Sequence, residues 1–270
     1  MDRELTIMAV HAHPDDEVIS TGGILARYAE EGIRTVLVTC TNGEQGDGPG
    51  GVKPGEEGHS DDEVAERRLA ELRESVSLLG IQHMELLGYR DSGMDGWAAN
   101  SDAHSFCNVP IEESTARLAA LMEKYQPQVV VTYDEIGGYG HPDHIQAHRI
   151  TTAAFPGSSA SKFYHTAMPR GRIKEMFEFM KSTGVDMGDF ELPEDFGTPD
   201  ELITAYVDVS AYVEKKIKAL EAHESQGENI FLLQMPEDAQ HRAFATEAFV
   251  RKECRIDAPE HEDDLFAGLR

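Results

Sequence analysis

Cysteine, tryptophan and positive charge are all scarce in this chain of 270 residues. Its 3 cysteines, Cys40, Cys107 and Cys254, are odd in number and far apart. That excludes a disulfide framework and reads as the reduced thiols of a cytoplasmic protein. Lys and Arg number 24 against 50 Asp and Glu, for a net charge of −26. Such a field repels phosphate backbones and anionic lipid, which argues against a nucleic-acid or membrane-surface role. Long apolar runs are missing as well: none approaches the roughly 20 residues that span a bilayer. The opening MDRELTIMAV is acidic and passes straight into a strand-like pattern, without the features of a secretory leader. What is present is a hydrophobic fraction of 40%, regularly spaced, in a chain long enough to bury a full core.

The spacing alternates between two periods. Leu5–Val10, Arg34–Cys40 (RTVLVTC), His83–Leu87 and Gln128–Tyr133 (QVVVTY) read as strands, the last apolar on both faces like a buried parallel strand. Val64, Leu69, Leu72, Val76 and Leu79 form a helical stripe with Ser60 or Asp61 as N-cap and Gly80 as its end. Ile111, Thr115, Leu118, Met122 and Tyr125 form another, between Pro110 and Pro127. This order predicts an α/β fold, a Rossmann-like, mostly parallel sheet with helices on both faces. After about Ala154 the rhythm loosens. Lys162–Met168, Ile203–Val209 and Thr246–Cys254 read as strands, Ser210–Glu224 as a helix, and Gly184–Asp200 as a surface excursion. The expectation is one domain over 1–270, with a core of about 1–155 and a C-terminal elaboration over about 156–270 packed on it.

Two segments at strand ends carry the chemistry. Ala12-His13-Pro14-Asp15-Asp16-Glu17 follows the first strand, and Gly137-Gly138-Tyr139-Gly140-His141-Pro142-Asp143-His144 follows the fourth. In a Rossmann-type sheet those strands are neighbours at the switch point, so both loops face one crevice. His13 and Asp16 converge across a Pro-stiffened turn, and His144 adds a third ligand from the other loop. Two His and a carboxylate leave an open coordination position, the catalytic pattern for one divalent metal. Zn²⁺ is the first choice, and Fe²⁺ also suits these ligands. A bound cation lowers the pKa of water from about 15.7 toward ~7, so a neighbouring carboxylate, Asp15, suffices as base.

The pairing of AHPDDE with GGYGHPDH resembles the LmbE-like (PIG-L) zinc de-N-acetylases. The segments VTCTNGEQG, YRDSGM and VVVTYDEIGGYGHPDH, with the tail DDLFAGL, are similar to the branch containing the mycothiol-pathway deacetylase and the mycothiol S-conjugate amidase. The likeness runs over nearly the whole chain and is loose between about Gly157 and Ile203. It implies hydrolysis of an N-acyl group, acetyl first, from a small glucosamine-containing substrate. By motif position, His13, Asp16 and His144 would hold zinc and Asp15 would be the general base. His141, oriented by Asp143, would stabilise or protonate the tetrahedral intermediate, and Tyr139 would lean on its oxyanion. Glu44, Arg68 and Asp91 would contact the sugar.

Other readings of these residues are plainer. Both His-Pro-Asp segments could be helix-capping turns, but capping does not require the pair at two strand ends. His11 and His148 fit a supporting place behind ligands, and Glu17 fits a helix-terminal charge. Trp97 and Met94 are candidates to line the pocket, and Gly43–Gly58 reads as a lid, since its acidic residues oppose a phosphate. Ser20 stands where the amidase branch carries a Lys, which favours deacetylation, whereas the DDLFAGL tail points to the amidase. A sugar-binding protein on a degenerate scaffold should have lost a ligand or the base, and this chain keeps them. A two-metal phosphoesterase would need more ligands at other strand ends, where only Glu44 stands. The expected partner is a small amino sugar, in a chain that could also form a homo-oligomer.

Overall fold

The computed structural model describes residues 4–183, 192–227 and 231–270. The chain runs β1 (Thr6–His11), α1 (Asp16–Glu30), β2 (Arg34–Thr41), α2 (Asp61–Leu79), β3 (His83–Tyr89) and α3 (Ile111–Tyr125). It continues through β4 (Val129–Thr132), the single turn α4 (Gly137–Gly140), α5 (Pro142–Ala154), β5 (Lys162–Ala167) and α6 (Arg170–Thr183). β6 (Ala205–Asp208), α7 (Val213–Glu221), α8 (Glu237–Phe244) and β7 (Thr246–Cys254) complete it. The seven strands form one sheet in the order β3-β2-β1-β4-β5-β7-β6. β1 pairs in parallel with both β2 and β4, so the switch point lies between β1 and β4, as the sequence predicts. β7 is antiparallel to β5 and β6, so strands beyond residue 156 extend the same sheet.

Strand alternation sorts the core into two layers. Ile7 and Ala9 of β1, with Val129 and Val131 of β4, face the layer that includes Leu25 of α1, Leu72 of α2 and Leu220 of α7. Met8, Val10 and Val130 face the other, with Leu118 of α3 and Ile150 of α5. A strand buried on both faces reads as the unbroken apolar run seen in the sequence. The predicted caps hold for α2: the Ser60 side chain accepts the Glu63 N–H, and Gly80 ends the helix with φ +75°. Helices α6 and α8 were not foreseen. Residues 184–191 of the expected excursion Gly184–Asp200 lie outside the described residues. Among the described residues no helix is long and apolar enough to cross a membrane.

The C-terminal tail is fastened by charge inside the protein. Lys162, fully buried on β5, pairs with Glu262 and donates to the carbonyls of Leu265 (3.2 Å) and Ala267 (2.6 Å). Glu262 also receives the Tyr164 hydroxyl (2.5 Å) and Arg251 (3.0 Å). Removing one partner of a buried pair strands the other charge. Glu262→Leu should therefore destabilise the fold by about 3–5 kcal/mol in a denaturant titration. Lys162→Met should cost less, because Arg251 and Tyr164 still meet the carboxylate.

Candidate metal and active site

The two motifs meet at the carboxyl ends of β1 and β4. Past His11 the chain makes a tight turn through His13-Pro14-Asp15, and α1 begins at Asp16. On the facing side, Pro142 opens α5, which places His144 in its first turn with its side chain toward the sheet. Gly137 lets the preceding loop come this close. Its φ is +65°, and a Cβ there would lie 2.7 Å from the His144 Cβ.

Three donor atoms converge. His13 Nδ1 lies 3.1 Å from Asp16 Oδ2, and His144 Nε2 lies 3.3 Å from both of those atoms. Ligands at ~2.0–2.1 Å around a tetrahedral cation stand about 3.3 Å apart, so this triangle has the dimensions of one metal face. The far nitrogens are tied as ligating histidines require. His13 Nε2 points to Asp143 Oδ2 (3.3 Å) and Asp91 Oδ1 (3.5 Å), and His144 Nδ1 to the Gly137 carbonyl (3.1 Å). Asp15, Asp16, Asp91 and Asp143 crowd this centre, and Arg68 is the fixed cation that pairs with Asp15 (3.0 Å) and approaches Asp91 (4.0 Å). That negative excess fits a divalent ion. His13 also belongs to two other candidate groupings, one with His141 and His144 and one with Asp91 and Asp143.

The electrostatics follow from burial and these neighbours. Burial raises the Asp15 carboxyl above its ordinary value, against the opposing pull of Arg68. Asp16 is held well below its range, because His144 and His13 outweigh the penalty of burial. Burial opposes charge on His13 too, yet Asp91, Asp143 and Asp16 lift it well above the usual histidine range. His141 is pushed down to about 2 by burial and by His13 and His144, so its ring is neutral. Its Nδ1 accepts the Asp143 backbone N–H (3.1 Å), which leaves Nε2 to carry the proton.

Several of the expected site residues make contacts that their motif positions do not foretell. The Asp143 carboxylate does not orient His141; its oxygens meet the Ser92 hydroxyl, the Ser92 N–H (2.8 Å) and His13. The reason is geometric: α5 directs the side chain inward, under the site, while the backbone N–H caps onto His141. Asp91, expected on the sugar, is buried behind His13 and accepts the Gly93 N–H (2.8 Å). Arg68, expected there as well, clamps the first motif through the Gly43 carbonyl (2.7 Å), the Pro14 carbonyl (2.6 Å) and Asp15. Glu44 is buried with Oε2 unpartnered among the described residues, and Tyr139 stands half-exposed at the mouth, its ring 5.0 Å from that of His144. A cavity of about 400 Å³ is lined by Asp15, Asp16, Ser20, Tyr139, His144 and Gln226.

Two supporting residues escaped the sequence reading. Tyr133 stacks on His144 (4.1 Å between centroids, 13° apart), and its hydroxyl accepts the Ala12 N–H (2.9 Å). Ser92 fastens Asp143. Both lie in segments noted for resemblance, but nothing local to either marks its partner. His11 is a buried neutral ring, pushed down to about 4 by burial and bonded to Thr21 (2.8 Å). His148 meets the Tyr133 carbonyl (3.1 Å), outside the donor triangle.

Residues 8–155, more than half of the chain, match the family described as PIG-L, GlcNAc-PI de-N-acetylase. The chain belongs to the PIG-L family. Membership makes it an enzyme of the de-N-acetylase class, a hydrolase of C–N bonds. This PIG-L chain is 46% identical over 248 residues to 1D-myo-inositol 2-acetamido-2-deoxy-alpha-D-glucopyranoside deacetylase of Thermobifida fusca, across 83% of the chain and 84% of the relative. Its fold is that of N,N'-diacetylchitobiose deacetylase from Pyrococcus horikoshii, with TM-score 0.59 at 20% identity over 92% of this chain and 84% of that one. A 4-carboxy-2-hydroxymuconate hydratase from Pseudomonas putida is as similar in fold, with TM-score 0.59 at 18% identity over 94% of this chain and 99% of that one. The PIG-L fold alone therefore does not decide the reaction; the site has to.

Proposed function

We propose that the protein removes the N-acetyl group from a small glucosamine-containing substrate, with a 2-acetamido-2-deoxy-glucopyranoside of inositol as the first candidate. The observation that carries this reading is the triangle of His13, Asp16 and His144 donors, set in a chain whose relatives are named for that substrate. Those residues would hold the metal, zinc first. When bound, it would act as a Lewis acid toward the acetamide carbonyl and make water acidic near neutral pH. Asp15, beside the triangle and lining the cavity, takes the proton that the attacking water loses. The raised carboxyl pKa suits a base, while Arg68 holds the carboxylate in place. The neutral His141 offers Nε2–H to the developing oxyanion, and Tyr139, its ring 6.2 Å from that of His141, would add a second donor. The unpartnered Oε2 of Glu44 suits a sugar hydroxyl.

A thiol-conjugate amidase would use the same centre. Ser20, on the cavity wall where the amidase branch carries a Lys, favours the acetamide substrate over that alternative. The test is amine release from a panel: the inositol glycoside of N-acetylglucosamine, free N-acetylglucosamine, N,N'-diacetylchitobiose and a thiol-conjugate amide. The inositol glycoside should turn over fastest, a metal chelator should abolish turnover, and zinc should restore it. Faster cleavage of the conjugate would replace deacetylase with amidase. No amine release from any, with metal bound, would sink the hydrolase reading.

A further inference from the structure

Glu17 and His223 are 206 positions apart in sequence, yet both are fully buried and bonded to one another beside the active site. Glu17 Oε1 accepts from His223 Nε2 (2.8 Å) and from the Ser75 hydroxyl (2.5 Å). Its Oε2 accepts the backbone N–H of Asp15 (2.9 Å). A first-turn carboxylate that only served the helix dipole would gain as much at the surface without losing its water. This one joins α1, α2 and the segment after α7.

The residue it grips is conformationally unusual. Asp15 has φ 111° and ψ −30°, and among the described residues Gln126 is the only other non-glycine with positive φ. Such a backbone persists only where surrounding contacts hold it. The Asp15 side chain makes no capping bond to α1; the Val18 N–H holds its carbonyl (3.1 Å), Arg68 its carboxylate, and Glu17 is the side chain that holds its N–H. Among the described residues His223 Nδ1 has no hydrogen-bond partner, and the hydrogen bond of its ring is that of Nε2 to Glu17. The same segment is strapped to α2 and the crevice: Ser225 bonds Glu71 (2.6 Å), and Gln226 bonds the Asp47 backbone (3.3 Å) and lines the cavity.

We infer that Glu17, held by His223, is a positioning residue for Asp15, keeping its backbone in the left-handed turn that aims the carboxylate into the crevice. The inference rests on Asp15 being the base. Glu17→Gln replaces one acceptor oxygen with a donor, and His223→Leu removes the donor that holds the carboxylate. In the zinc-loaded protein each should lower kcat about 10–100-fold, with KM and bound zinc unchanged. The Asp15 amide should exchange its hydrogen faster in each variant, whereas the amides of β1 and β4 keep their protection. His223→Gln, whose amide can still donate to Glu17, should recover most of kcat and the slow exchange. The inference is overturned if the variants lose only thermal stability, or if the Asp15 amide exchanges as in the unaltered protein. Should Asp15→Asn itself keep full turnover, the base assignment fails instead, and the exchange measurement still decides whether Glu17 holds that turn.

Discussion

Asp15→Asn should lower amide hydrolysis by about 10²–10⁴-fold while the protein keeps its metal. The amide is the same size, and its oxygen can still accept from Arg68, which now meets the carboxylate at 3.0 Å. What it cannot do is take the proton from the attacking water. Asp15 Oδ atoms are outside the donor triangle, which His13 Nδ1, Asp16 Oδ2 and His144 Nε2 complete without them. Turnover and metal content measured on the same preparation check both halves. Full turnover in the variant would place the base elsewhere.

Changing the neighbouring carboxylate should fail differently. Asp16→Asn and His144→Ala should each release the metal, seen as loss to a competing chromogenic chelator and as loss of turnover that excess zinc partly restores. Asp91→Asn and Asp143→Asn stand behind His13 and should weaken metal binding by about 10–100-fold, the usual cost of losing a group that orients a ligand. His141→Ala decides between the overlapping groupings. With Asp16 as the third ligand, this variant keeps its metal and loses turnover. Metal loss as severe as in Asp16→Asn would instead make the site a three-histidine centre.

The regular elements around the site are legible because their periods are local. β1, β2, β4 and α2 announce themselves through unbroken apolar runs or a stripe with its own cap and terminating glycine. Helix α6 escapes because its charged residues dilute the stripe of half-buried Ile173 and buried Phe177 and Met180, whose burial depends on neighbours far along the chain. The donor set is legible for a similar reason. His13 and Asp16 share a short stiff turn, and the switch-point rule places His144 opposite them before any coordinate is known.

The sequence by itself therefore determined the alternating architecture, the strand ends that carry chemistry, and the His and Asp residues available there. Only the tertiary structure decided what each buried polar group serves. Asp143 turned to Ser92 and His13 and away from His141, Asp91 went behind His13, and Arg68 closed on the motif turn. His223, which no local pattern distinguishes, reached Glu17. Secondary structure is set by repeats a few residues long. A buried carboxylate's partner is whichever donor packing brings within about 3 Å, and at that range a one-residue change of direction exchanges one role for another.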